Sequence, residues 1–225
     1  TVPVSTEPAR SKNASIALDR DGYVWVAGTS FVQPQNGKYN IRTCVSPNPQ
    51  DVGGTWAPKQ NLLNTQAVSS AVRATLVPGA SGGPVIWWAA YSYLGNVAVR
   101  SLEGTDIASA TLNSQDIVYS AGASTSNTVL APPSAVVDSL GTTHVVYETG
   151  EMYGGVWKAS IQYVYNTSST AWSSPTTLNA SGSDYGNRCP TISLDTSTGN
   201  VYVMWIQATT NAIFVVKNES GTWTA

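Results

Sequence analysis

Three arginines lie at or just before runs of small and aliphatic residues. Arg10 precedes "SKNASIAL", Arg73 lies within "SAVRATLV", and Arg188 precedes "CPTISL". An arginine guanidinium binds a carboxylate through two parallel hydrogen bonds. If the three runs are strands whose starts meet, these arginines form a site for an acidic ligand. The alternative is that they are unrelated surface or inter-strand residues, because their positions relative to the runs are not equivalent.

A second candidate site lies in the acidic segment "YETGEMYGGVW", which contains Glu148, Glu151 and Tyr153. Most glycoside hydrolases use two carboxyl groups, one to protonate the leaving oxygen and one to act as base or nucleophile. Glu148 and Glu151 would supply such a pair, and Asp184 beside Tyr185 is a further acid. The alternative is a glycine-flanked acidic surface loop without chemistry, because both glutamates come from one segment.

The aromatic residues favour rings that carry a polar group. The chain has 8 Trp and 11 Tyr but only 2 Phe. Such rings are typical of sugar-stacking surfaces and of interfaces. The tyrosines predicted to bind a ligand, together with the three arginines, are Tyr91, Tyr93, Tyr153 and Tyr185.

The sequence lacks residues that other common catalytic and cofactor sites require. His144 is the sole histidine and lies in a predicted strand, so histidine-based metal sites and Ser-His-Asp triads are incomplete. No glycine-rich phosphate loop precedes a helix. We therefore expect no cofactor and no metal. Cys44 and Cys189 fall toward opposite ends of predicted strands, which favours two separate thiols over one disulfide.

The charge and the polar residues bear on partners and location. Charged residues make up 11% of the chain, against about a quarter in typical proteins, and the net charge is -2. This excludes a basic field for nucleic acid, and no apolar run is long enough to cross a membrane as a helix. We expect no nucleic-acid partner, no membrane insertion, and an extracellular or cell-surface location. Glycosylation is predicted at four sequons, Asn13, Asn166, Asn179 and Asn218.

The elements that must position these residues repeat four times. Each repeat is a strand of small and aliphatic residues, a glycine-containing turn, and a strand of valines and aromatics. The turn glycines recur at a spacing of about 60 residues, which accommodates four strands and their turns. They are Gly22, Gly83, Gly141 and Gly199. We predict one all-β domain of four antiparallel four-stranded units, at residues 14–63, 70–115, 132–180 and 190–225.

A second recurring turn reads "DVGGTW", "NTSSTAW" and "NESGTW", and ends on Trp56, Trp172 and Trp223. Asp51 and Gly53 shape the first of these turns, and each indole is predicted to pack between neighbouring units. The pattern Asp51, Gly53, Thr55 and Trp56 resembles the Asp-box, or BNR repeat, of sialidase-like β-propellers. The family pattern begins with a serine where this chain has Pro49.

The resemblance implies a β-propeller in which each unit is a blade and ligands meet the face where the inner strands begin. Enzymes of that family are similar in using three arginines on a substrate carboxylate and a tyrosine polarised by a glutamate. The matching residues here would be Arg10, Arg73, Arg188, Tyr153 and Glu148. The last unit is predicted to stop before its fourth strand, and residues 1–6 to close the ring as that strand. The rival prediction is four blades of a larger ring.

The predicted function is a secreted or cell-surface binding module, lectin-like or adhesive, without catalysis, because the catalytic set is incomplete. Its expected partner is a glycan or a cell-surface protein. One alternative is a sialidase-like glycoside hydrolase that uses the three arginines with Glu148 and Tyr153. A second alternative is a structural building block of an extracellular assembly that self-associates through its terminal strands.

Overall fold

The computed structural model describes eighteen strands and several of the turns between them, and no helix lies within these residues. Accordingly, the described part contains no helix that is long and apolar enough to span a membrane. The described residues are 12–18, 21–32, 38–49, 53–59, 72–77, 85–90, 97–103, 111–112, 116–119, 127–128, 133–153, 156–166, 172–179, 186–207 and 209–225.

The first of two compact units, Thr1–Ser92 with Ala98–Ile117, carries the first sheet and most of the second. The first sheet has the order β1-β2-β3-β4. Its strands are β1 (Lys12–Leu18), β2 (Val24–Val32), β3 (Lys38–Val45) and β4 (Ala57–Lys59). The second sheet has the order β5-β6-β7-β8, and β9 also pairs with β7. Its strands are β5 (Val72–Val77), β6 (Val85–Ala90), β7 (Val97–Glu103), β8 (Thr111–Leu112) and β9 (Asp116–Tyr119).

The second unit, Tyr93–Val97 with Val118–Ala225, carries the third and fourth sheets. In the third sheet β10 and β11 pair with different halves of one edge of β12, and β13 and β14 follow. These strands are β10 (Asn127–Thr128), β11 (Ser134–Val137), β12 (Thr143–Tyr153), β13 (Val156–Asn166) and β14 (Thr176–Thr177). The fourth sheet has the order β15-β16-β17-β18. Its strands are β15 (Asn187–Leu194), β16 (Val201–Gln207), β17 (Ala212–Glu219) and β18 (Thr222–Thr224). Four sheets of consecutive strands confirm the predicted all-β class.

In the first unit, the turn that contains "GGTW" places its indole in the core. Trp56 is buried and packs with Val24 and Cys44. Gly54 has a φ of +79°, a conformation that glycine adopts at little cost. The indole of Trp56 therefore contributes to the core of the first sheet.

The hairpin between β11 and β12 is closed by an aspartate and a glycine. One carboxylate oxygen of Asp138, Oδ1, accepts hydrogen bonds from the backbone N–H groups of Leu140 (2.9 Å) and Thr142 (2.8 Å). Gly141 has a φ of +83°. Asp195 opens the equivalent turn between β15 and β16. These turns lie at one end of the third and fourth sheets, and the start of β15 lies at the other.

The main core of the second unit lies between the third and fourth sheets. The third sheet contributes Val146, Ile161 and Tyr163, and the fourth contributes Ile192, Val201, Val203 and Trp205. The indole of Trp223 packs against this cluster and meets the ring of Tyr163 edge-on, with ring centroids 4.8 Å apart. Burial of these apolar side chains is what holds the two sheets together.

The fourth strand of the last unit corrects a sequence expectation. The sequence predicts that the last unit stops before its fourth strand, yet β18 pairs with β17 through Lys217–Thr224, Asn218–Trp223 and Glu219–Thr222. A three-residue strand is too short to show a hydrophobic period, so the sequence pattern missed it. Residues 1–6, predicted to supply this strand, lie outside the described residues, and that closing role stays a prediction.

Strand β16 alternates strictly between the core and the opposite face of the sheet. Val201, Val203, Trp205 and Gln207 are buried, whereas Met204 and Ile206 are about half exposed. On the neighbouring strand β17, Val215 lies opposite Met204 and is 50% exposed. A side chain on this outer face therefore contributes much less to the core than one on the inner face.

Two matched substitutions test this difference. Val203→Ala should lower the free energy of unfolding by about 2 kcal/mol, because Val203 is fully buried. Val215→Ala should lower it by less than about 0.5 kcal/mol. Urea unfolding monitored by tryptophan fluorescence measures both. Equal losses for the two variants would show that the outer face is covered in solution.

Candidate functional site

The candidate site lies at the end of the second unit where β15 begins and the β12–β13 hairpin turns. The hairpin ends at the pair Tyr153–Val156, and β15 begins at Asn187. The amide nitrogen of Asn187, Nδ2, donates a hydrogen bond to the backbone carbonyl of Ala159 on β13 (3.1 Å). This bond places the start of β15 beside the hairpin. We call Asn187, Arg188 and Cys189 the β15 entry.

The β15 entry contains a β-bulge. Arg188 pairs with Ile206 and Thr191 pairs with Met204, so Cys189 and Pro190 together face one residue of β16. Proline has no N–H group to donate to the ladder, which favours a bulge at this place. Cys189 has a φ of +54°, a conformation that costs a non-glycine residue on the order of 1 kcal/mol or more.

A buried carboxylate of the third sheet contacts this bulge. Glu148 on β12 is 1% exposed, and its Oε2 accepts a hydrogen bond from the backbone N–H of Cys189 (3.2 Å). The two residues are 41 positions apart in the sequence. Because burying a carboxylate is costly, its hydrogen bonds must compensate, and this one joins the third sheet to the fourth.

Asn187 uses both ends of its side-chain amide. Its Oδ1 accepts a hydrogen bond from the indole N–H of Trp205 (3.0 Å), while its Nδ2 bonds to Ala159. Asn187 is 1% exposed. The residue therefore joins β15 to the core tryptophan on one side and to the third sheet on the other. Reasoning from the sequence missed Asn187, whose only signal is its place before the "RCP" run.

Of the three predicted arginines, the structure describes the side chain of one. Arg188 is exposed at the β15 entry, between the buried Asn187 and the bulge. Arg73 lies in β5, where only the backbone is described, and Arg10 lies outside the described residues. The predicted convergence of three arginines stays a prediction.

The predicted tyrosines are described less fully. Tyr153 ends β12, and only its backbone is described, as is that of Glu151. Tyr91, Tyr93 and Tyr185 lie outside the described residues, as do Asp51 and Asp184. Of the other predicted structural residues, Gly53 and Trp172 are half-buried and Thr55 is exposed.

The sequons occupy different environments. Asn179 is 6% exposed, and its Oδ1 accepts a hydrogen bond from the N–H of Ile161 (2.9 Å), a position that disfavours an attached glycan. Asn218 is half-buried and accepts a hydrogen bond from the N–H of Gly221 (2.8 Å). Asn166 ends β13 and is half-buried. Asn13 lies in β1, and only its backbone is described. Glycosylation at these positions stays a prediction.

The histidine lies away from the β15 entry, toward the Asp138 turn. One ring nitrogen of His144, Nδ1, is 2.7 Å from the hydroxyl of Tyr163, and the other, Nε2, is 3.4 Å from Asp138. Burial lowers the pKa of His144 below 6.5 and outweighs the opposite effect of Asp138. Burial also tends to raise the pKa of Asp138, but hydrogen bonds from Thr142, His144 and Leu140 keep it below 3.8.

The cysteines and the acidic residues are the remaining candidates for redox or metal chemistry. Cys44 is buried and Cys189 is exposed, and neither forms a disulfide bond. Among the described residues, no group of three or more histidine, cysteine, aspartate or glutamate side chains is arranged to hold a metal ion.

Comparisons with known proteins identify the fold. No protein-family model matches the chain, and no curated protein matches it in sequence. A protein of unknown function from Dyadobacter fermentans is 12% identical with a TM-score of 0.66, and the match covers 98% of this chain and 69% of that one. An α-L-arabinanase from Penicillium chrysogenum is 13% identical with a TM-score of 0.57, covering 92% and 62%. The polysaccharide lyase Uly1 is 12% identical with a TM-score of 0.57, covering 96% and 49%.

These similarities confirm a β-propeller fold built from antiparallel sheets, and they correct the predicted function. The chain spans between about half and seven tenths of these three structures. Other matching structures are an endo-arabinase and α-L-arabinofuranosidases. The predicted binding module without catalysis is corrected on this finding, because the named structures of known activity are carbohydrate-active enzymes, which favours the alternative of a glycoside hydrolase.

Removal of the Asn187 side chain should destabilise the protein strongly. Asn187→Ala leaves the buried Trp205 indole N–H and the Ala159 carbonyl without these partners, so we expect a loss of about 3 kcal/mol in the free energy of unfolding. The matched control is Asn200→Ala at a half-buried turn position, with an expected loss below about 0.5 kcal/mol. Urea unfolding measures both, and similar losses would contradict the proposed importance of the Asn187 bonds.

His144 should make the protein less stable in mild acid. Because the folded state lowers its pKa, its contribution is complete above pH 6.5 and declines as the pH falls from there, when the unfolded chain binds the proton first. The pKa of Asp138 is also lowered by folding, so this residue reduces the stability only when the pH falls below 3.8. Urea unfolding at a series of pH values should show a flatter dependence between pH 6.5 and 4.5 in His144→Gln. An unchanged slope would contradict this assignment.

Proposed function

We propose that this protein is a carbohydrate-active enzyme, a glycoside hydrolase that cleaves a polysaccharide at the β15 entry. Its expected partner is a glycan, and arabinose-containing polysaccharides are the first substrates to test. The single observation that carries the proposal is a fully buried carboxylate, Glu148, bonded to the β-bulge beside an exposed arginine, Arg188. In a β-propeller, ligands meet the end of the sheets where the inner strands begin.

The fold supports the class of reaction. The matches to an α-L-arabinanase, an endo-arabinase and α-L-arabinofuranosidases cover 88% or more of this chain. Because the identities are between 12% and 15%, they support the fold directly and the chemistry only through the site. A polysaccharide substrate also agrees with the extracellular or cell-surface location that we propose for the protein.

The chemistry requires two carboxyl groups near the scissile bond. One protonates the leaving oxygen, and the other acts on the opposite side as base or nucleophile. Glu148 is 1% exposed, so its carboxylate does not face a ligand in this structure. For the two reacting carboxyls we propose Glu151, near the end of β12, and Asp184, which precedes β15 in the sequence. The side chain of Glu151 and the whole of Asp184 lie outside the described residues.

Arg188 would hold the substrate. Its guanidinium is exposed at the β15 entry and offers five N–H donors in a planar fork. Such a fork binds the hydroxyls of a sugar ring as well as a carboxylate. The finer resemblance to sialidases, with Tyr153 as nucleophile and three arginines on a carboxylate, remains a separate hypothesis.

The test is hydrolysis of a small set of substrates by the purified chain. We expect release of arabinose or arabino-oligosaccharides from linear arabinan or arabinoxylan, measured by anion-exchange chromatography. Glu151→Gln and Asp184→Asn should each lower kcat by about 10²–10⁴-fold. The matched control is Glu219→Gln, an exposed strand-end carboxylate paired with Lys217, which should leave kcat unchanged.

Each of three other outcomes would contradict one part of the proposal: its mechanism, its reaction class or its substrate. Release of sialic acid from sialyllactose that is lost in Tyr153→Phe would favour the sialidase-type mechanism. An unsaturated uronate product, detected by its ultraviolet absorbance, would indicate a lyase. Binding of arabinan without any product, by a chain whose circular dichroism shows the β-fold, would exclude hydrolysis of that substrate.

A further inference from the structure

We propose that Glu148 is a positioning residue, which holds the bulge at Cys189 and thereby fixes where Arg188 meets the substrate. This inference rests on the proposed function, because it assigns Arg188 to the substrate of that reaction. It differs from the sequence-based alternative, in which Glu148 itself takes part in the chemistry. Three neighbouring features carry it: the Glu148–Cys189 bond, the bulge, and the bonds of Asn187.

The first contact is the bond between Glu148 and Cys189. Glu148 Oε2 accepts from the Cys189 N–H at 3.2 Å, and the glutamate is 1% exposed. A carboxylate so placed reaches the backbone of the next sheet but not a ligand outside. Its position is suited to holding another residue.

The second feature is the bulge that this bond supports. The pairing of β15 with β16 shifts between Arg188 and Thr191, which takes Cys189 out of the regular ladder. Pro190 follows and brings no N–H of its own. The backbone conformation at Cys189, with a φ of +54°, persists only where the surroundings hold it. The Glu148 carboxylate is a contact from outside the strand that does so.

The third contact lies on the other side of Arg188. The side chain of Asn187 donates a hydrogen bond to the carbonyl of Ala159 (3.1 Å) and accepts one from the indole N–H of Trp205 (3.0 Å). Arg188 therefore stands between two residues whose positions are set by hydrogen bonds to the third sheet. Its exposed side chain begins from a backbone that cannot shift without breaking one of them.

Two substitutions at Glu148 separate the effect of side-chain length from the effect of charge. Glu148→Gln keeps the length of the side chain and an oxygen that accepts from the Cys189 N–H, but removes the charge. Glu148→Asp keeps the charge and withdraws the carboxylate by one methylene group. Arg188→Ala gives the effect of losing the arginine itself, and Glu219→Gln is the exposed control.

Hydrogen exchange of the Cys189 amide is the first measurement, because it needs no substrate. We expect protection in the wild type and in Glu148→Gln to agree within about threefold, and exchange in Glu148→Asp to be about tenfold faster, as loss of one hydrogen bond implies. The second measurement is kinetics on the arabinan identified as substrate. Glu148→Asp should raise KM toward that of Arg188→Ala with kcat within about threefold, and Glu148→Gln should resemble the wild type.

The results distinguish the two proposals. A drop in kcat of a hundredfold or more in Glu148→Gln, with unchanged exchange at Cys189, would overturn the positioning role while leaving the hydrolase in place. Unchanged exchange in Glu148→Asp would overturn it as well. If no glycan is cleaved, the proposed function fails, and the exchange experiment still decides whether Glu148 holds the bulge. If Glu148→Asp does not fold, Glu148→Gln decides by its kcat and its exchange together.

Discussion

The packing of the third sheet against the fourth is the constraint on which the rest of the second unit depends. Apolar side chains from β12, β13, β15 and β16 fill the space between the sheets, with Val146, Ile161 and Val203 fully buried. This burial brings Glu148 and Cys189, which are far apart in the sequence, within hydrogen-bonding distance. Without the sheet contact, neither the bulge nor the arginine beside it would have a fixed position.

The two ends of this sheet pair differ in chemistry. At one end, tight turns begin at Asp138 and Asp195, and their carboxylates bond to the backbone of their own turns. At the other end, Glu148 and Asn187 bond across to neighbouring strands. Local hydrogen bonds stabilise a hairpin, whereas bonds between strands distant in sequence hold a surface in place. The second arrangement is the one that a ligand site requires.

The sequence predicts what depends on local pattern. The repeat and the hairpin turns at Gly141 and Gly199, with their positive φ values, follow from residue types in a recurring local pattern. The site does not follow in the same way. The acidic side chain of Glu148 marks it as a candidate, but its bond to Cys189 depends on how two sheets pack, and no local signal marks Asn187 as a buried link. Backbone conformations such as that of Cys189 arise from contacts distant in sequence, so short-range patterns miss them.

The central claim is that a glycan binds at the β15 entry. The most direct measurement is a crystal structure of the protein soaked with arabinotriose. We predict a sugar ring within about 3 Å of the Arg188 guanidinium, with Glu148 still bonded to the backbone of Cys189 beneath it. A sugar bound at the end that carries the Asp138 and Asp195 turns, with none at Arg188, would contradict the account.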